Sequence, residues 1–119
     1  MERKLEYSFD DEVANKFCYD MDNKKIEVHF GGYYDSLSSQ YIDKSCIWVI
    51  KNWSDAKSKL SSESSYKDLE QHLGIVSMVL SAEKNKTSLE LTVNTIDNRY
   101  IDLLFDSPQI EFKIKQKLD

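Results

Sequence analysis

The residues best equipped for chemistry in this 119-residue chain lie in its first half. Glu27 and His29 alternate in the segment KIEVHF, which puts them on one side of a strand at about 7 Å separation. A histidine oriented by Glu27, or by Asp35 further on, has the makings of a general base. The alternation turns that side toward solvent, however, where a histidine is ordinary surface. Asp20 and Asp22 could open a calcium loop, but DMDNKKIEV lacks the glycine and distal glutamate at the required offsets. The adjacent glycines of FGGYYD are followed by Tyr33, Tyr34 and Asp35, with no Lys or Arg to cradle a phosphate. The two glycines are better read as a bend after the strand. None of the phosphate-loop, dinucleotide, zinc-protease or nucleophile-elbow motifs occurs.

Tyr33, Tyr34, Tyr41, Trp48 and Trp53 crowd into one short stretch. Trp48 lies within the apolar run CIWVI and is expected in the core. Tyr33 and Tyr34 point to opposite faces if extended, so at least one is expected at the surface. Exposed Tyr and Trp supply rigid contact area and are frequent binding hot spots; phenols capping a sheet rim account for them equally well.

Three segments must position these side chains. In the second half, IVSMVLSAE (75–83), TSLELTV, RYIDLLF and QIEFKIKQ read as four strands, three of them strictly alternating. Turns at 83–86, Asp97–Asn98 and the only proline separate them, and four strands so joined make a meander. In the first half, KLEYSF and KIEVHF alternate, while SCIWVIKNW is apolar on both faces and reads as a central strand. Between them, Val13, Phe17 and Met21 recur at helical spacing ahead of a turn-like Asp/Asn-rich end. Residues 54–74 begin with the candidate caps Ser54 and Asp55 and stop at Gly74. They predict a helix over Tyr66–Leu73 and a separate turn near Asp55–Lys59. The expectation is a single α+β domain over 1–119, mainly an antiparallel sheet of about seven strands curled into a partial barrel, with one or two short helices.

Composition narrows the partners. Net charge is −5. Residues 1–35 carry nine acids against five bases, and the remainder twelve against eleven. Phosphate contacts need Lys and Arg, so direct nucleic-acid binding is not expected. An acidic face suits a basic protein partner. The longest apolar run is far short of a membrane span. MERKLEYSFDDE has no apolar segment behind its basic pair, so a cytoplasmic protein is expected. Cys18, Cys46, His29 and His72 are not clustered, so no metal or cofactor is expected, and both thiols read as free and buried.

The segments IEVHFGGYYD, CIWVIKNWSDAK and LELTVNTIDNRYIDLLF, spanning about Ile26 to Phe112, resemble the small bacterial immunity proteins of polymorphic-toxin and contact-dependent growth-inhibition systems. The resemblance implies a protein that is not an enzyme: an inhibitor that binds the toxic C-terminal domain delivered by a neighbouring cell. Such toxins are often nucleases with basic clefts. On that reading Asp20, Asp22, Glu27, Tyr33, Tyr34, Asp35, Trp53 and Asp55 form the partner-binding set, the acids pairing with cleft cations and the aromatics serving as anchors. Two other classes stay open. One is a small-ligand carrier using the mouth of a curled sheet. The other is a small hydrolase using His29.

Overall fold

The computed structural model describes residues 6–115, so Leu5 of the first expected strand lies outside them. In chain order the strands are β1 (Tyr7–Ser8), β2 (Glu12–Asp20), β3 (Lys25–Phe30), β4 (Tyr33–Asp35), β5 (Gln40–Ile42), β6 (Cys46–Lys51), β7 (Asp55–Leu60) and β8 (Lys67–Asp68). The helix α1 (Leu69–His72) follows, then β9 (Val76–Lys84), β10 (Ser88–Thr95), β11 (Tyr100–Asp106) and β12 (Gln109–Ile114). The protein is thus mostly antiparallel sheet, as expected, with more strands than the seven anticipated and one short helix.

Nine strands form one sheet in the order β12-β6-β3-β2-β9-β10-β11-β7-β8, and β1-β4-β5 form a second. The large sheet does not close, because β12 and β8 end it without pairing. It divides at β2, which pairs with β3 along Ala14–Asp20 but with β9 only at Glu12 and Val13. The result is two layers sharing a strand rather than the expected partial barrel. Ile26, Val28, Phe30, Trp48 and Ile50 of one layer and Val79, Leu91, Leu103 and Phe105 of the other share one core. Register explains the first layer: Phe17, Val28, Trp48 and Phe112 form one cross-strand row, and Tyr19, Ile26, Ile50 and Ile110 the next.

The aromatic residues around the two glycines mostly answer to packing. The three-stranded sheet lays Tyr7, Phe9 and Tyr33 against the first layer. Phe9 stacks on Phe30 with centroids 4.2 Å apart, Tyr7 on Phe112 at 4.6 Å, and Tyr33 meets Phe112 edge-on at 4.7 Å. The Trp48 indole N–H donates to the Tyr7 hydroxyl at 2.9 Å. Gly32 permits this arrangement. A Cβ there would stand 2.5 Å from the Tyr41 Cζ, closer still to its hydroxyl, and 2.9 Å from the Ile42 carbonyl oxygen.

Five local expectations change. The meander holds for β9, β10 and β11, with Asn98 at φ 61° in the turn. The fourth strand leaves it: Ser107 adopts φ 52° before Pro108, and β12 crosses to β6 because β7 already occupies the far side of β11. Glu12–Asp20 is a strand, not a helix; a register shift between Ala14 and Lys16 breaks its alternation and imitates helical spacing. Asp55–Leu60 is likewise a strand rather than a turn. Its core position is taken by Ser58, fully buried, whose hydroxyl donates to the Asp68 and Leu69 carbonyls at 3.0 and 2.9 Å. The helix is shorter than Tyr66–Leu73 because Lys67 and Asp68 pair with β7 instead. Gly74 is not a left-handed stop; a Cβ there would lie 2.6 Å from the Arg99 guanidinium.

Candidate functional site

The β2–β3 hairpin turns through Met21–Lys24, with Lys24 at φ 49°. The Asp20 carboxylate accepts from the Asn23 side chain at 2.7 Å and its backbone N–H at 3.2 Å. These bonds explain why the Asp-rich end turns, and they hold the Asp20 pKa below its usual value. The chain leaving β6 is tied to this hairpin by the Asn52 N–H, which donates to the Lys24 carbonyl at 3.0 Å. Trp53 then folds inward against Phe105 at 5.0 Å, and Asp55 emerges at the surface.

Between these parts runs a groove of about 280 Å³, with Tyr19, Met21 and Lys24 on one wall, Trp53–Ala56 on its floor and Asp68–Glu70 opposite. Asp55, Asp68 and Glu70 line it, and Asp20 and Asp22 stand on the adjoining turn. Among the described residues Lys24 is the only base in its lining. Lys57 approaches Asp55 at 3.7 Å, but both are exposed, and such a pair neutralises little. A second groove of about 330 Å³ continues from the first, lined by Phe17, Tyr19, Glu70, Leu73, Gly74 and Ile75. Tyr19 and Glu70 form the shared wall, the Tyr19 hydroxyl donating to Glu70 at 2.7 Å. Burial and then this bond push the Tyr19 phenol well above its usual pKa, and the same bond lowers that of Glu70.

The expected partner-binding residues do not form one face. Asp55 lines the acidic groove, Asp22 stands on the turn whose Met21 and Lys24 line it, and Asp20 lines a separate depression with Cys18, Lys25 and Glu27. Tyr34 and Asp35 lie beyond the other end of β3, about 17 Å away at 3.3 Å per residue. There Tyr34 is exposed opposite Tyr41, and Asp35 accepts from the Leu37 N–H and the Ser38 hydroxyl, both at 3.0 Å. Tyr33 and Trp53 belong to the core, 8% and 5% exposed, and their rings are spent on Phe112 and Phe105. Neither offers the surface area an anchor needs. Glu27 sits on the outer face of β3, paired with Lys25 at 2.9 Å, which lowers its pKa. Tyr19, Asp68, Glu70, Leu73 and Ile75 were missed by sequence reasoning. An exposed Met21 inside an acidic turn was the one available hint of a lined groove.

His29 shares the outer face with Glu27, as the alternation required, yet it is 7% exposed. Neither ring nitrogen has a hydrogen-bond partner, and the Glu27 carboxylate is 3.7 Å from Nε2, too long for a bond. Burial, then Lys115 and Lys16, lower its pKa, so the ring is neutral at pH 7. Asp35, the other candidate orienter, is past the end of the strand. The hydrolase arrangement is therefore not assembled around this histidine.

Among the described residues no helix is long and apolar enough to cross a membrane. Comparison of the chain with protein-family models, with curated proteins and with solved structures gives no match.

Proposed function

We propose that this chain is an immunity protein, a non-catalytic inhibitor that binds a cognate toxin domain and blocks its active site, in keeping with the resemblance in its sequence. One observation carries the reading. Asp55 at the start of β7 and Asp68 and Glu70 at α1 line one groove beside the acidic β2–β3 turn, although these segments are distant in sequence. Charge of one sign around a concave surface steers a basic partner and selects against acidic ones. A nuclease cleft, which holds phosphates with Lys and Arg, is a surface of the required kind. Occupying it would remove activity without any chemistry on the inhibitor's side. The cytoplasm, where such a toxin acts, is the compartment this reading requires.

The small-ligand carrier is the second reading, and the apolar groove over Phe17 is what favours it. That groove lies open at the surface between β2 and the segment from α1 to Ile75, and the sheet around it does not close.

The test is co-expression with the C-terminal region of the reading frame directly upstream. The expected result is rescued growth and a stable one-to-one complex. It should be lost in an Asp22→Lys/Asp55→Lys variant that folds normally and retained in Asp35→Lys. Killing despite the intact chain, or full protection by the double variant, would defeat the reading.

A further inference from the structure

The strand that joins the two layers is half unpaired. β9 leaves β2 after Val13, whereas β3 stays with it to Asp20. From Ala14 to Asp20, about 20 Å at 3.3 Å per residue, the other edge of β2 makes no backbone hydrogen bond among the described residues. β9 is likewise free of a second partner over Leu80–Lys84, which carries the charges of Glu83 and Lys84, and the other sheet edges are shorter or guarded. β1, β5 and β8 have two or three residues, and β12 starts behind Pro108 and carries Lys113. The free edge of β2 instead borders the apolar groove. Phe17 and Tyr19 face inward on it, Leu73 and Ile75 stand opposite, and Ile75 is 53% exposed. An unpaired edge beside a lined groove is what strand addition uses: main-chain bonds give affinity, and the groove receives alternate side chains.

We infer that β2 accepts an extended segment of the partner, which pairs with Ala14–Asp20 and fills the groove over Phe17 with its apolar side chains. The charge sets the direction. β2 runs toward Asp20, beside the acidic groove, and every ladder among the described residues is antiparallel. An antiparallel segment enters at that end, so its basic residues precede its apolar ones and meet Asp55 and Glu70. The identification of the segment as part of a toxin rests on the immunity reading; the acceptor edge stands on the geometry alone.

The probe is a peptide of two lysines followed by five alternating valine and threonine residues, added to the intact isotopically labelled chain. Saturable amide shifts should concentrate at Phe17–Asp20 and Leu73–Ile75, with at least tenfold slower hydrogen exchange along β2. A peptide N-methylated at alternate residues keeps the side chains but loses the donors, and should bind at least tenfold more weakly. Ile75→Glu, at an exposed position, should abolish binding with the fold intact. Equal binding of both peptides, shifts elsewhere, or no binding at millimolar peptide would overturn the inference. So would a hydrophobic dye that shifts these residues where the peptide does not, and that result would favour the carrier. Rescue in co-expression without strand pairing overturns the inference and leaves the inhibitor standing; pairing without rescue upholds the edge and removes the inhibitor.

Discussion

Gly31 and Gly32 are neighbours with the same side chain, yet replacing each by alanine should move stability in opposite directions. Neither has a left-handed backbone, so alanine is not strained by its φ. At Gly31 nothing lies within 4 Å of the added Cβ. Gly31→Ala should therefore stabilise the fold by about 0.4–1 kcal/mol, through reduced freedom of the unfolded chain. At Gly32 the Cβ meets the Tyr41 hydroxyl, and the Ile42 carbonyl oxygen at 2.9 Å. Tyr41 is 54% exposed and can swing away, giving up its bond to Glu12. Ile42 cannot, because its backbone is held in register with Tyr33. Gly32→Ala should cost about 1–3 kcal/mol, as overpacking does. The two variants then differ by about 1.4–4 kcal/mol, which at roughly 4 °C per kcal/mol separates their midpoints by about 6–16 °C. Urea and thermal unfolding measure this directly. In a Tyr41→Ala background the Gly32→Ala cost should shrink but not vanish, since the Ile42 contact stays. Equal stability of the two single variants would refute the close approach of β5 to Gly32.

Asp102 accepts from Lys59 at 2.9 Å, Ser61 at 2.8 Å and Thr92 at 3.0 Å. Burial works to raise its pKa, but these bonds together outweigh it and hold the pKa low. The contribution is present above the unfolded value of about 3.9 and lost as pH falls through the lower folded value. Asp102→Asn should therefore destabilise by about 1.5–3 kcal/mol at pH 7, with the gap to wild type narrowing in urea titrations below pH 4. The buried Cys46 thiol is pushed up to about 11 by burial, whereas Cys18 is exposed. A thiol reagent at pH 8 should modify one cysteine in the native protein and the second only on unfolding; two fast thiols would contradict the core described here. Phe9→Ala removes the ring stacked on Phe30 and should cost about 3–5 kcal/mol, read by denaturant unfolding. A loss under 1 kcal/mol would show that the small sheet does not depend on it.

Strands whose inner residues are all apolar were legible. Leu89, Leu91 and Val93 of β10 and Ile101, Leu103 and Phe105 of β11 alternate without interruption and are all buried. β7 was not legible, because a buried serine satisfied by carbonyls from another segment looks like surface in a sequence. β2 was ambiguous because Val13, Phe17 and Met21 fit both a helical repeat and an even one, and the bulge after Ala14 breaks the alternation that would have decided it. The direction of His29 was right and its burial wrong, since alternation fixes a face but not what covers it. The site was half legible: Asp55 was among the expected residues, but Asp68 and Glu70 reach it only through tertiary folding. Trp53 lies just outside a strand, where no period says that its ring turns inward.

The crossing of β12 to β6 also sets a schedule for self-assembly. Asn52 and Gln109, bonded at 2.8 Å, are 57 positions apart, and Tyr19 reaches Glu70 across 51. Strands made early must wait for partners made late, with Trp48 uncovered until Phe112 arrives. Non-local pairing of this kind places folding in the millisecond-to-second range rather than the microseconds of helical bundles. During that interval the unfinished first layer is the adhesive part of the molecule, and its core is complete only when the final strand has docked.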